Sequence, residues 1–287
     1  MDKRTAVQGL WSAVTNGNWD GFLQGSVYPG PLKSFCLPGL NCYSCPGALG
    51  ACPVGALQSA CSGVVLRIPF YVVGTLLLAA LLCGRFICGW FCPFGFVQEL
   101  LYRLPGKKLR KSPRLRRLTY GKYGMAAFVA AVPLLLFGLT GIGEPAFCKY
   151  LCPAGTLEAA VPLLAVSERL RAAAGWLTAG KFLLLALLLL AAVPVYRPFC
   201  RFFCPLGAFY GFFNKTALFG IAVKETACTH CGACARRCPM DVRRAGDREC
   251  ISCGACRRVC PSGAIAFKRP FPFSLKEDCS LCSNKDS

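Results

Sequence analysis

Two cysteine-rich runs near the C-terminus, CTHCGACARRCP and CISCGACRRVCP, share one ligand spacing, Cys-x2-Cys-x2-Cys-x3-Cys-Pro. In bacterial ferredoxins, three cysteines of such a run bind one [4Fe–4S] cluster, and the fourth binds the cluster of the other run. The first cluster is therefore expected on Cys228, Cys231, Cys234 and Cys260. The second is expected on Cys250, Cys253, Cys256 and Cys238.

Other uses of cysteine fit this chain less well. Zinc also binds paired CxxC motifs, but two complete copies that both end in Cys-Pro favour the ferredoxin spacing. A disulfide scaffold is small and lacks a core, whereas this chain has 287 residues, 22 cysteines and 55% hydrophobic residues. Residues 1–30 lack the pattern of a cleavable signal peptide.

A second cysteine motif is repeated within apolar sequence. CGWFCPFG, CKYLCPAG and CRFFCPLG each contain Cys-x3-Cys-Pro, and NCYSCPGALGACPVGALQ is a longer variant. Proline is favoured at the first position of a helix, so the last cysteine is expected at a helix N-terminus. Backbone amides and the helix dipole there stabilise an anionic thiolate or cluster. The cysteines concerned are Cys88, Cys92, Cys148, Cys152, Cys200, Cys204, Cys42, Cys45 and Cys52.

Three apolar segments, residues 63–82, 123–141 and 176–196, are long enough to span a bilayer, which takes about 20 residues. The mean hydropathy of the chain is +0.48. Arg67 and Lys181 lie close enough to segment ends to reach the membrane surface. The amphipathic stretch from Thr5 to Val14 is too short to span and is expected to lie in the interface.

Charge predicts the orientation of these spans. The loop over residues 101–122 carries nine Lys or Arg and no acid, whereas residues 144–175 carry three of each sign. Positive loops remain in the cytoplasm. The C-terminal domain is therefore expected in the cytoplasm, and the N-terminal cysteine-rich loop at the outer face of an integral cytoplasmic membrane protein.

The order of the motifs reveals an internal repeat, because a Cys-Pro pair precedes and follows both the first and the third span. Parallel repeats are related by an axis along the membrane normal. This symmetry predicts an inner membrane cluster on Cys88, Cys92, Cys200 and Cys204. It predicts an outer membrane cluster on Cys148 and Cys152 with two or more of Cys36, Cys42, Cys45 and Cys52.

Some cysteines have no assigned partner in this scheme. Buried structural cysteine is the alternative for the repeated motifs. Cys61 and Cys83 are interpreted as apolar packing. Cys279 and Cys282 form a lone CxxC in a polar tail, which could bind metal, be redox active or be a disordered end.

The expected fold is an α-helical integral membrane domain with Cys-Pro repeats, followed by an α+β bacterial two-[4Fe–4S] ferredoxin domain. An N-terminal interfacial segment with a Cys-rich loop covers residues 1–62, and the membrane domain covers 63–213. The ferredoxin domain covers 214–270, and the polar tail with the CxxC covers 271–287.

Arginines crowd the soluble domain close to its cysteines, among them Arg236, Arg237, Arg243, Arg244, Arg257 and Arg258. They are either solvated surface or a docking site for an acidic electron carrier, since complementary charge raises encounter rate and specificity. Nucleic-acid binding by the net charge of +20 is disfavoured, because the positive residues lie between apolar spans and around cysteines.

The stretches GRFICGWFCPFG and RPFCRFFCPLGAFYGFFNK, with the two ferredoxin runs, resemble the NapH-like membrane polyferredoxins. That family includes membrane subunits that accompany periplasmic nitrate reductase and the membrane half of the nitrous-oxide-reductase accessory flavoprotein. The resemblance covers most of residues 63–265. The elements LNCYSCPGALGACPVGALQ and FCKYLCPAGTLEAAVPLL depart from the simpler two-motif pattern, so the cluster number of the simpler members does not carry over.

The resemblance implies membrane electron transfer with a quinone, a flavin or a metalloprotein partner at or across the membrane. The chain is expected to be an electron-transfer subunit of a redox complex rather than a stand-alone enzyme, and no residue is proposed as catalytic. Two clusters are expected in the ferredoxin domain and two in the membrane domain. The alternative function is a cysteine-rich membrane protein of metal handling, enzyme maturation or sensing.

Overall fold

The computed structural model describes residues 3–62, 69–109 and 111–268. Arg67, Cys279 and Cys282 lie outside the described residues. The N-terminal half contains helices α1 (Lys3–Thr15), α2 (Trp19–Gln24), α3 (Pro53–Ala60), α4 (Phe70–Cys83), α5 (Phe86–Trp90) and α6 (Pro93–Tyr102). The middle contains α7 (Pro113–Arg117), α8 (Gly121–Thr140), α9 (Pro153–Gly155), α10 (Val161–Val166), α11 (Glu168–Ala172) and α12 (Trp176–Ala192).

The C-terminal part contains α13 (Pro198–Phe202), α14 (Pro205–Phe213), β1 (Ile221–Val223), α15 (Ala233–Arg237) and β2 (Ile265–Phe267). Short 3₁₀ turns cover Pro31–Ser34, Leu118–Tyr120, Glu225–Ala227 and Arg257–Val259, and π-helical turns cover Phe147–Leu151 and Thr156–Ala160. The strands β1 and β2 pair antiparallel, with Ala222 opposite Ala266. This pair closes the two ends of the ferredoxin domain onto each other.

The three expected spans correspond to helices of different length. Within the described residues, one continuous helical stretch, Pro113–Thr140, is long and apolar enough to cross a membrane. The helices α4 and α12 have 14 and 17 residues. At 1.5 Å per residue, they are about 21 and 26 Å long, shorter than a hydrocarbon core of about 30 Å. A membrane domain with three spans therefore stays a prediction.

Helix α1 packs with its polar side against the protein. Arg4, Thr5 and Gln8 are buried, whereas Leu10 and Val14 are 68% and 55% exposed. The buried side chains reach helices α5 and α6, where the Arg4 guanidinium donates to the Gly89 carbonyl at 2.9 Å. The apolar side of α1 is thus exposed, and the interfacial location of this helix stays a prediction.

The core is continuous from the helical part into the ferredoxin domain. It includes Phe94, Phe199 and Tyr210 from the helices and Met240 and Ile251 from the ferredoxin domain, each at most 3% exposed. Gly89 lies so close to Ile251 that an added Cβ would be 2.1 Å from the Ile251 carbonyl oxygen. Only glycine permits this approach of helix α5 to the ferredoxin domain.

Candidate iron–sulfur sites

Four cysteines from the two copies of the repeat meet in one place, which we call the inner site. It consists of Cys88, Cys92, Cys200 and Cys204. Each sulfur interacts electrostatically with the other three, and all four residues are between 4% and 8% exposed. The structure thus brings together the four side chains that the repeat pairs.

The second cysteine of each motif begins a helix, as predicted. Cys92, Cys152 and Cys204 each precede a proline at the first helical position. Their sulfurs accept a hydrogen bond from the amide three residues later, at 3.4 Å from Gly95, 3.3 Å from Gly155 and 3.3 Å from Gly207. Cys52 also begins a helix at Pro53. Helix N-termini therefore direct amide donors at these sulfurs.

Two buried arginines connect the repeats at the inner site. Arg85 and Arg197 each lie three residues before the first cysteine of their motif, and both are fully buried. Arg85 donates to the carbonyl of Cys200 at 3.3 Å, and Arg197 donates to the carbonyl of Cys88. This exchange follows the pseudo-two-fold relation between the repeats, and it places positive charge beside four sulfurs.

A buried carboxylate compensates one of these arginines. Glu99 on α6 accepts from Arg197 at 2.7 Å, from Arg4 and from the Tyr196 hydroxyl at 3.1 Å. Burial alone would raise the pKa of Glu99, but Arg197 and Arg4 lower it to about 2. The carboxylate is therefore ionised at neutral pH and fixes the position of Arg197.

Glutamine and a second carboxylate complete the surroundings of the inner site. Gln98 donates to the Cys200 sulfur at 3.2 Å and accepts from the Phe199 amide at 3.0 Å. Glu249 of the ferredoxin domain pairs with Arg85 and Lys122. Burial raises the pKa of the Cys204 thiol, so an anionic sulfur at this site depends on these donors and cations.

A second set of four cysteines, the outer site, consists of Cys42, Cys52, Cys148 and Cys152. Each sulfur interacts electrostatically with the other three. They line a cavity of about 260 Å³. The other two candidates for the outer site, Cys45 and Cys36, are not part of this set. Cys45 lies beside Cys42, and its sulfur contacts the Asn16 side-chain oxygen at 3.7 Å. Cys36 is near Thr75.

Polar groups also hold the backbone of the outer site. Lys181 donates to the carbonyl of Cys148 at 3.1 Å, a role like that of the arginines at the inner site. The Cys148 amide donates to Gln58 at 3.1 Å, and the Cys42 amide donates to Glu158 at 2.6 Å. Lys181 therefore holds a motif of its own repeat, and Glu158 links the second repeat to the N-terminal cysteine-rich loop.

The ferredoxin runs form two further sites. Cys228, Cys231, Cys234 and Cys260 line a cavity of about 220 Å³, which we call ferredoxin site 1. Cys238, Cys250, Cys253 and Cys256 line a small neighbouring cavity and interact electrostatically in every pair, and we call this ferredoxin site 2. The fourth cysteine of each run therefore lies with the other run.

This crossed arrangement gives a direct test. Replacing Cys238 by serine should remove the cluster of ferredoxin site 2 and leave the cluster next to it in sequence, at ferredoxin site 1. EPR of the reduced protein measures the loss, with Cys83→Ser as the matched control because Cys83 belongs to none of the four sites. Loss of the site 1 signal instead would refute the crossed ligand sets.

The four sites form a row. Cys234 borders both ferredoxin cavities. Ferredoxin site 2 meets the inner site where Trp90 donates to the Ser252 carbonyl at 3.1 Å. The Leu40 amide faces the Cys92 sulfur of the inner site, and Cys42 of the outer site follows two residues later. Two extended residues cover about 7 Å, so the inner and outer sites are neighbours.

The donor sets fit iron–sulfur clusters in their chemistry. Each site offers four thiol ligands, as a [4Fe–4S] cluster uses, and burial of thiols without bound metal leaves them protonated until metal displaces the proton. In the part of the chain that is described, no group of three or more His, Cys, Asp or Glu side chains is compact enough for a single metal ion. Cys61 and Cys83 lie at the ends of α3 and α4, apart from the four sites.

The polar and charged residues that contact these cysteine motifs are not among the site residues predicted from the sequence. Arg85 and Arg197 occupy the same position in two motifs, so the pattern Arg-x2-Cys-x3-Cys-Pro was a readable signal. Glu99, Gln98 and Glu249 carried no such signal, since their contacts depend on segments about 100 to 160 residues apart.

Two family models, each described as a 4Fe-4S binding domain, match the chain. The first matches residues 64–112, 124–163 and 176–224, and the second matches residues 221–244 and 247–266. No solved structure matches the chain.

Several curated proteins are similar to the chain. An uncharacterized protein of Methanocaldococcus jannaschii is 30% identical over 58% of this chain and 56% of its own length. The methylamine utilization ferredoxin-type protein MauN of Methylorubrum extorquens is 31% identical over 66% of this chain and 55% of its own length. The regulatory protein NosR of Pseudomonas aeruginosa is 30% identical over 60% of this chain. The chain spans little more than half of the first two relatives and 23% of NosR.

Proposed function

Because the chain belongs to the NapH-like family of ferredoxin-type electron-transport proteins, we propose that it relays single electrons through four [4Fe–4S] clusters in a membrane. The observation that carries this proposal is the row of four sites, each with four cysteines, from ferredoxin site 1 to the outer site. A bound cluster of this type accepts and releases one electron at a time. The protein supplies ligands, charge and exclusion of water around each cluster.

Ferredoxin site 1 is proposed as the site where a soluble carrier exchanges electrons. Cys231 is exposed, and Arg243 and Arg244 line the cavity of this site. Arg236, Arg237, Arg243, Arg244, Arg257 and Arg258 are all exposed. Such a surface favours an acidic soluble electron carrier, because opposite charge accelerates association.

The buried arginines are proposed to favour the reduced state of the inner cluster. Reduction makes a cluster more negative, and nearby positive charge and hydrogen bonds to sulfur raise its reduction potential. Arg85 and Arg197 both lie in a region without solvent, where charge is weakly screened. The inner site would then accept electrons readily from ferredoxin site 2.

The outer site is proposed as the end of the row, where a quinone, flavin or metalloprotein partner exchanges electrons. Its cavity of about 260 Å³ is open to the surface and includes Tyr43, Phe147 and Leu163. The cluster itself would occupy the part of this cavity between the four cysteines, and the apolar opening beside it is where an organic cofactor or a partner protein would approach. Other subunits of a redox complex, among them an extracytoplasmic flavoprotein, would provide that partner.

Orientation in the membrane is proposed from the positive loop at residues 101–122, with the ferredoxin domain in the cytoplasm. After Gly106, a reporter that is active only in the cytoplasm should be active. Near Gly175, a reporter that is active only outside the cytoplasm should be active. Paired fluorescent-protein and alkaline-phosphatase fusions measure this. The reverse pattern would invert the scheme and place the ferredoxin domain outside.

A vesicle experiment tests the relay itself. The protein is placed in liposomes with its ferredoxin domain facing the external medium, and a reduced soluble ferredoxin is added to that medium. An electron acceptor bound to the inner face of the liposome, or enclosed within it, should then become reduced. Cys83→Ser protein should behave like the unaltered protein. A protein with all clusters present but with no transfer above that of empty liposomes would contradict the relay.

A further inference from the structure

Asn41 is the most unusual polar side chain near the two membrane sites. It is 1% exposed, and among the described residues neither its Nδ2 nor its Oδ1 has a hydrogen-bond partner. Buried polar groups in folded proteins are almost always hydrogen-bonded, and an exception calls for a partner such as water, an ion or a ligand. A side-chain amide with both ends unpaired is therefore a sign of a missing group.

The position of Asn41 in the chain indicates the group that its side-chain amide lacks. Before it, Gly39 lies against the inner site, since an added Cβ would be 3.5 Å from the Cys92 Cα and 3.1 Å from the Phe91 carbonyl oxygen. Directly before it, the Leu40 amide faces the Cys92 sulfur. Directly after it, Cys42 belongs to the outer site. The side chain thus lies on the segment that links the two sites.

Nearby side chains leave no protein partner for the Asn41 amide. Tyr210, which is fully buried and lies near Cys52, Cys88 and Cys92, already donates its hydroxyl proton to the Pro38 carbonyl at 3.0 Å. Leu40 on the same segment is apolar and 2% exposed. The chain on either side of Asn41 reaches cysteine sulfur, at Cys92 through the Leu40 amide and at Cys42 itself, and sulfur accepts hydrogen bonds.

We propose that Asn41 Nδ2 donates a hydrogen bond to a sulfur of the cluster at one of the two sites it separates, and that it raises the reduction potential of that cluster. The proposal rests on the proposed function, because it requires clusters at the inner and outer sites. A donor to cluster sulfur stabilises the more negative, reduced form. Asn41 is in this sense a positioning and tuning residue between two electron carriers, not a ligand.

The test is the variant Asn41→Leu, which keeps the approximate volume and removes the donor. At a fixed ambient potential, the ratio of reduced to oxidised cluster should fall about tenfold at one membrane site, which corresponds to 59 mV for a one-electron couple. Redox titration followed by EPR measures it. The two ferredoxin clusters should keep their potentials, and the site that shifts identifies the acceptor.

Leu40→Met is the matched control, because it alters the same segment but keeps every donor, and volume-conserving apolar changes are well tolerated. If iron content and signals are complete in Asn41→Leu and both membrane potentials equal those of Leu40→Met, the inference is wrong and the proposed function stands. If the unaltered protein has no membrane clusters, the proposed function itself fails.

A second measurement leaves Asn41 unaltered, in case Asn41→Leu does not bind its clusters. In unaltered protein that carries ¹⁵N at the side-chain amide of asparagine, electron–nuclear double resonance should show this nitrogen coupled to a reduced membrane cluster. Asn16 contacts Cys45 and Asn214 contacts Arg85 and Cys250, so the coupling from Asn41 is the one that persists in both Asn16→Asp and Asn214→Asp. Absence of coupling on both membrane signals would overturn the inference.

Discussion

Replacing Cys200 with alanine should stop electron transfer between the ferredoxin sites and the outer site while the ferredoxin clusters remain. Cys200 contributes one of four sulfurs to the inner site, and its sulfur also accepts from Gln98 at 3.2 Å. The inner site lies between ferredoxin site 2, which it meets at the contact of Trp90 with Ser252, and the outer site, which it meets where Leu40 approaches Cys92. Loss of its cluster therefore interrupts the row in the middle.

The effect is measured in two ways on the same protein. Iron content should fall by about four atoms per chain, the number in one cubane cluster, and reduction of the outer-site cluster by a donor to ferredoxin site 1 should fall to background. Cys83→Ala is the control, since it removes a thiol from the end of α4 outside the sites. Equal iron content and equal transfer in both variants would show that Cys200 is not a ligand.

The second large effect is expected from Arg197→Leu. Removing one partner of a buried ion pair costs about 3–5 kcal/mol because the other charge stays buried. Here Glu99 keeps Arg4 as a partner, so the lower part of that range is expected, together with a weakened inner site. Thermal unfolding in detergent, followed by the visible absorbance of the clusters, measures the change.

Arg103→Leu provides a control on the same carboxylate. Arg103 contacts Glu99 at 3.4 Å, but its side chain is 42% exposed, and exposed ion pairs contribute about 0–1 kcal/mol. Arg103→Leu should therefore unfold close to the unaltered protein. If Arg197→Leu and Arg103→Leu were equally stable, the structural role that we assign to Arg197 would be wrong.

Acid unfolding of protein freed of its clusters, followed by circular dichroism, should reveal the same network, because acid itself destroys bound clusters. The pKa of Glu99 is lowered in the folded protein to about 2, against about 4.3 for an unperturbed Glu. Its stabilising contribution is present above pH of about 4.3 and is lost as the pH falls towards 2. In Arg197→Leu the pKa of Glu99 rises, so this loss begins at a higher pH.

Much of the site was predictable because ligand spacing is local. Each ferredoxin run contains three ligands of one cluster within seven residues. The fourth ligand comes from the other run, as the positions of Cys238 and Cys260 show. The repeat of Cys-x3-Cys-Pro similarly paired Cys88 and Cys92 with Cys200 and Cys204. In both cases the spacing of cysteines within a short motif indicates which cysteines share a site.

Other features could not be read from the sequence because they depend on contacts between distant segments. The ionised state of Glu99 arises only when α1, α6 and the residues after α12 pack together, and the unpaired side chain of Asn41 lies on a segment that packs against Phe91 and Cys92. Hydropathy alone suggests a full span between the inner and outer sites, whereas the structure places the two sites close together. Helix α4, with 14 residues, and the path of the chain from Gly39 to Cys42 account for the difference.

The central claim is that one chain holds four [4Fe–4S] clusters, and analysis of iron and acid-labile sulfide on anaerobically purified protein tests it most directly. We predict about sixteen atoms of each per chain, with EPR of the reduced protein showing several interacting clusters. A colourless protein that contains zinc and no acid-labile sulfide would contradict this account and would favour a metal-handling role for its cysteines.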